Sequence, residues 1–293
     1  MTHLANWIAT VIFIVAILII INRLKHDEEA YYPIKILGYS ILGSFRFIFN
    51  NVHIPIGFII FLLAFHSPQK NQLGKRCAAC LGLVGFIVSL AIPSVYEAYF
   101  ERTRYVEPVS TSVYEFDFKE HWRQVAEILK LDEHSYNSTK IENLIFDYKR
   151  DGEIENLRYQ LIWRQNEQFY HASVNYHEGQ KTISIRASKI SQWLQYDRLT
   201  CAERLFEMLS GIIFKELTPT GNSLNYSFNF FGEYSGFGIQ NGEKYVIEQN
   251  KIVPFTGKLP ISCYWIKVFE RQEGGEQSGK LTNDRYYLFD ISQ

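Results

Sequence analysis

The chain has 293 residues, 47% of them hydrophobic, with 30 Lys+Arg against 31 Asp+Glu and a formal net charge of -1. That balance supplies no cationic face for neutralising phosphates, which argues against nucleic acid as a partner, and four cysteines in 293 residues exclude a disulfide scaffold. The average conceals a split, since residues 1–100 carry seven Lys+Arg and four Asp+Glu whereas residues 101–293 carry 23 and 27.

Three stretches of the first part, 1–22, 47–69 and 77–96, contain no Asp, Glu, Lys or Arg. Each approaches the roughly 17 to 25 apolar residues that cross a hydrocarbon core. The first lacks the cationic start and small-residue end of a cleaved signal peptide and reads as a retained helix. Transmembrane helices are therefore expected over about 4–22, 47–66 and 77–97. Between the first two, Lys35, Tyr39, Arg46, Asn50 and His53 fall on one helical stripe, which predicts an interfacial helix over about 34–47. Arg46 or His53 inside a bundle would suggest an ion or proton pathway; snorkelling to a headgroup region is the simpler reading.

Within the third stretch, Cys77 and Cys80 form a C-x-x-C, but no second ligand pair matches it and no βαβ context surrounds it. Ala78, Gly82, Gly85 and Ser89 make a small-residue stripe suited to close helix packing. Basic residues tallied by loop set Lys70, Lys75 and Arg76 against Arg23, Lys25, Lys35, Arg46, Arg102 and Arg104, leaning toward a cytoplasmic carboxy-terminal domain.

After a short hinge at PVSTS, residues 105–293 read as one α+β domain, an antiparallel sheet packed by two helices. The first helix carries Phe118, Trp122, Val125 and Leu129 at helical spacing, with Asp117 and Glu120 as a capping pair. A period of two follows through Leu157, Tyr159, Leu161 and Trp163 and again through Tyr170, Ala172, Val174 and Tyr176, with turns at Asp151-Gly152 and Glu178-Gly179. The second helix runs from a capping box at Thr200 and Glu203 to Pro219. Further strands are expected around 226–231, 245–247, 261–269 and 286–289, with turns at Gly232, Asn241-Gly242 and Gly274-Gly275.

No motif identifies a reaction. His171 and His177 share a strand face with Ser173 and Asn175, but six residues at ~3.3 Å each separate the two imidazoles by about 20 Å, too far to hold one ion. A solvated sheet face accounts for them. Cys201 stands at a helix start, where a thiol gains nucleophilic character, although burial explains it as well. Cys201 and Cys263 could pair if the domain were extracellular. The cluster Asp147, Asp151 and Glu153 lacks calcium-loop spacing, and Gly232, Gly236 and Gly238 open no helix. His171, His177 and Cys201 are thus the site candidates; no catalytic, cofactor or metal constellation is expected.

The segments NRLKHDEEAYYPIK, FHSPQKNQLGKR and WLQYDRLTCAERLFE resemble those of a group of uncharacterised multi-pass membrane proteins from Gram-positive, spore-forming bacteria. The resemblance implies no reaction, ligand or catalytic residue. The functional expectation is a membrane-anchored, non-enzymatic module in the cell membrane, whose domain binds a partner protein or small ligand beside the lipid bilayer. The alternative is a membrane-bound enzyme, such as a hydrolase, whose groups converge only in three dimensions.

Overall fold

A computed structural model describes residues 2–50, 52–65, 70–219, 223–271 and 284–292, with side chains from residue 7 onward. The turn at Gly274-Gly275 and its surrounding EGGEQSG loop, and the loop start at His66, lie outside the described residues. The chain divides into two compact units, Met1–Phe100 and Glu101–Gln293.

In the first unit, α1 (Thr2–Arg23), α2 (Tyr32–Ser44) and α4 (Gln72–Glu101) are the main helices. Close approach depends on residues without side chains. A Cβ on Gly43 would meet the Ala79 carbonyl oxygen at 2.0 Å, and one on Gly82 would meet that of Ser40 at 2.1 Å. Ile17, Ile20, Tyr32, Ile36 and Ala78 form the apolar centre of this packing.

Three crossing helices are not what forms. Residues 47–66, expected as one crossing, hold a hairpin of β1 (Phe47–Phe49) and β2 (Val52–Ile54), then the short α3 (Ile56–Ile60) and a π-turn over Phe61–Phe65. The charge-free composition suits a helix, but aromatic and β-branched residues flank Asn50, which takes the left-handed φ of 48° that a turn needs. Pro55 then occupies the helix N-cap, where a missing N–H costs little. Among the described residues only α4 is long and apolar enough to cross a bilayer; the described apolar part of α1 is Trp7–Arg23. A multi-pass arrangement is therefore not supported.

Glu29 Oε1 lies 2.7 Å from both Lys35 Nζ of α2 and Lys75 Nζ of α4, so the starts of these two helices share one carboxylate. Asn71, just before α4, is tied to the segment between α1 and α2, its Oδ1 accepting from the N–H groups of His26 and Asp27 at 2.8 Å each. The Lys35 and Lys75 ammonium groups hold the Glu29 carboxyl down to about 2.

The second unit is built on an eleven-stranded sheet. Its strands are β3 (Arg104–Val106), β4 (Lys140–Lys149), β5 (Ile154–Gln165), β6 (Gln168–His177), β7 (Thr182–Ile190), β8 (Asn225–Phe231), β9 (Ser235–Phe237), β10 (Glu243–Glu248), β11 (Lys251–Pro254), β12 (Ile261–Arg271) and β13 (Arg285–Ser292). The order is β11-β10-β13-β12-β8-β4-β5-β6-β7-β3, with β9 on β12. The expected meander is present as β4 to β7. The sheet is mixed, however, because β10 and β13 run parallel, which the chain achieves by bringing its last strand in beside β10.

Four α-helices, rather than two, belong to this unit among the described residues: α5 (Phe118–Leu129), α6 (Glu133–Ser138), α7 (Ala202–Ser210) and α8 (Phe214–Leu217). Asp117 caps α5 by accepting from the N–H groups of Lys119 and Glu120. Glu120 pairs with Arg123 at 2.8 Å. The expected second helix is broken into α7 and α8 at Gly211, and its N-cap is Cys201, whose side chain makes no capping bond, Thr200 being buried. The buried faces of α5 and α7 meet one face of the sheet through aromatic rings. Phe118 packs on Phe146, Phe206 and Phe214, Trp122 on Phe206, and Phe206 on Tyr159. Burying a ring of this size is worth ~1.5–3 kcal/mol or more, so this face is the core of the unit.

Candidate functional site

Strand alternation places the remaining side chains on the opposite face, where the register assembles them into rows. One row runs Asn143, Gln160, Ser173, Arg186 across β4 to β7. The next runs Asn229, Ile145, Arg158, Asn175, Ser184 across β8 to β7. Neighbours within a row have Cβ atoms about 4.5–5.5 Å apart, and the rows are separated by two residues, roughly 6.6 Å.

A depression of about 300 Å³ opens on these rows, lined by Asn143, Ile145, Arg158, Tyr159, Gln160, Ser173 and Asn175. The side chains of Asn143, Arg158, Gln160, Ser173, Asn175 and Arg186 make no hydrogen bond or ion pair with any described residue. No carboxylate lines the depression. The trough therefore offers a guanidinium, three amides and a hydroxyl with their bonding capacity unspent, beside the second guanidinium of Arg186.

The next row toward one end is saturated instead. Asp147 accepts from Asn156 Nδ2 at 3.0 Å and Ser227 Oγ at 2.6 Å, and Arg271 lies 3.1 Å from it. Arg271 also reaches Glu155 at 3.3 Å. Asp147 and Glu155 are thus both paired with Arg271, whereas the Glu142 carboxyl, beside Asn143 in the chain, has its pKa raised by burial. Asp151 accepts from the Glu153 N–H in the hairpin turn, so the Asp147, Asp151 and Glu153 cluster splits between a sheet network and a turn.

His171 and His177 do face the same way as Ser173 and Asn175, but they flank the trough rather than line it. His177 Nε2 is 2.8 Å from Ser184 Oγ. His171 sits opposite Ile162 and stacks on Trp193 with ring centroids 6.4 Å apart, and its burial lowers the imidazole pKa below the ordinary 6.5. Cys201 meets Lys140, whose Nζ donates to Sγ at 3.3 Å. It is three strand positions from His171 through Lys140 and Ile162, roughly 14 Å at ~4.8 Å per strand. The structure does not bring these three candidates together. Cys201 and Cys263 are both free thiols, and burial pushes Cys263 up to about 11. No cluster of three or more His, Cys, Asp or Glu able to hold a metal occurs among the described residues.

In the sequence Ser173 and Asn175 stand out only by sharing a strand face with His171 and His177, Arg158 and Gln160 only as the polar alternates of Leu157, Tyr159 and Leu161, and Asn143 not at all. The signal that unites them is strand register, which alternation alone does not specify.

Fold and site together define the class: an α+β domain whose mixed sheet is sealed by helices on one face and carries an open polar trough on the other. Residues 119–279 match the model of a family described as "Archaeal family", more than half of the chain, and the chain belongs to that family. The description names no activity, and it is archaeal where the segment resemblance pointed to Gram-positive spore-formers. No curated protein matches the chain. Among solved structures, a Bacillus halodurans protein described as a "putative adenylate cyclase" is similar at 11% identity, covering 64% of this chain and 76% of that one with a TM-score of 0.12.

Proposed function

We propose that the chain is a membrane-anchored binding protein whose sheet trough takes a small molecule bearing an oxyanion, a phosphate or carboxylate group. The observation that carries the reading is the uncommitted guanidinium of Arg158 in a concave site that contains amides and a hydroxyl but no acid. A guanidinium matches carboxylate and phosphate oxygens in a bidentate fork, and the amides supply the donors and acceptors that orient the rest of a ligand. The lining favours recognition over reaction, because guanidinium and amide groups neither accept nor release protons near neutrality. Ser173 has no base beside it, the nearest imidazole on its face being two residues along the strand, about 6.6 Å, and turned against Trp193.

Anchorage rests on α4, whose best 18-residue window has a mean hydropathy of 2.2. The test is thermal unfolding of the full chain in mild detergent with inorganic phosphate, citrate or chloride at matched ionic strength. Phosphate or citrate is expected to raise Tm relative to chloride, and Arg158→Ala to remove that gain while leaving the Tm in chloride unchanged within about 0.5 kcal/mol of stability. Equal stabilisation of wild type and variant would refute the site.

A further inference from the structure

The first unit contains a second cavity that the trough does not explain. It has a volume of about 710 Å³ and runs between Ala9–Phe13 of α1 and Leu81–Pro93 of α4, with Ser44 and Arg46 at its margin. The twelve steps of helix from Leu81 to Pro93 make it about 18 Å long at ~1.5 Å per residue. That is close to the half of a ~30 Å hydrocarbon core which one leaflet contributes. Its walls are mainly apolar, formed by Ile12, Phe13, Leu81, Val84, Val88 and Ile92, with Thr10 and Ser89 as the hydroxyl residues among them.

The surroundings are apolar as well. Ile8, Val11, Ile12 and Val15 on α1 and Val84 and Ile87 on α4 are all exposed, and β1, which follows Arg46 directly, exposes Phe47, Ile48 and Phe49. Against this surface stands one cation. Arg46 is exposed, no acid lines the groove, and Arg46 pairs with no described residue. A free guanidinium at an apolar margin is costly without an anionic partner, and its long stem lets the head reach one while the methylenes stay on the apolar wall.

We propose that this groove holds one acyl chain of an anionic phospholipid, with the Arg46 guanidinium on the headgroup phosphate. Volume and apolar walls fit the chain; the unpaired cation selects the charge of the head. The assignment rests on the reading that α4 is embedded in a membrane, because a bilayer supplies this ligand and covers the exposed apolar side chains around it.

Native mass spectrometry of the full chain in mild detergent provides the test, with phosphatidylglycerol and phosphatidylcholine of identical acyl composition added in equal amounts. The expected result is one retained phospholipid per chain with about a fivefold preference for phosphatidylglycerol. Arg46→Ala should erase the preference, and Val88→Trp, which fills the groove, should reduce retention of both lipids while far-UV circular dichroism stays unchanged. Equal retention of the two lipids by wild type, an unchanged preference in Arg46→Ala, or a lipid-free dimer occupying the groove with a second copy would overturn the assignment. Alkaline carbonate extraction scores the membrane reading separately. Release from membranes by carbonate refutes the anchor, and selective retention of phosphatidylglycerol in detergent would still uphold the groove.

Discussion

His121 lies on the buried face of α5, and its Nε2 is 2.7 Å from the hydroxyl of Tyr159 on β5. Both groups are buried in an aromatic shell that includes Phe116 and Phe206, so the imidazolium has neither water nor an acid to stabilise it. Burial accordingly lowers the His121 pKa from 6.5 to about 3. The folded state excludes a proton that the unfolded chain binds. The resulting stability is fully present above pH 6.5 and is lost as pH falls toward 3, at about 1.4 kcal/mol per unit. Denaturant unfolding followed by circular dichroism from neutral pH down to about 4 should show this slope in wild type and a flatter one in His121→Leu. The variant also starts less stable by ~1–3 kcal/mol, because Tyr159 loses its partner. An unchanged slope would remove His121 as the source. The composition shows a histidine on an amphipathic helix; it does not show that Tyr159, 38 residues later, meets it.

At the scale of elements, the turn between β5 and β6 has an identifiable weakness. Asn166 and Glu167 both hold positive φ, 50° and 63°, the pattern of a two-residue type I′ hairpin. Asn tolerates that conformation, whereas Glu pays ~1 kcal/mol for it. Glu167→Gly is expected to raise Tm by about 2–4 °C for a domain of this size, measured by differential scanning calorimetry; a fall in Tm would show that the glutamate side chain contributes more than its backbone costs. Alternating residues made β5 and β6 legible, and the helical repeat of Phe118, Trp122, Val125 and Leu129 made α5 legible. Long-range outcomes were not. The parallel pairing of β10 with β13 joins segments about forty residues apart, and the hairpin at 47–54 replaced a helix because apolar composition alone does not distinguish the two. The break between α7 and α8 comes at Gly211, where a Cβ would lie 2.4 Å from the Asn250 side chain, a close approach that no local pattern reveals.

Across the whole molecule, the two units present different chemistry, one apolar and helical, the other a sheet with a polar open face. The family match, at residues 119–279, lies within the second unit and contains every residue lining the trough. The side chains of His171, His177 and Cys201 are the reactive types in the sequence, yet each is occupied by a local neighbour: Trp193, Ser184 and Lys140 respectively. The residues left with unspent bonding capacity, Arg158 foremost, are ordinary polar alternates until register gathers them on adjacent rows. The central claim, that this gathering is a binding site for an oxyanion, can be read at one atom. Ile145 lines the trough beside Arg158, so its δ1 methyl, labelled with ¹³C and assigned through Ile145→Val, reports occupancy in a titration of the full chain with citrate. The account predicts a saturable shift of that methyl in wild type and none in Arg158→Ala; a stationary Ile145 methyl while other isoleucines move would contradict it.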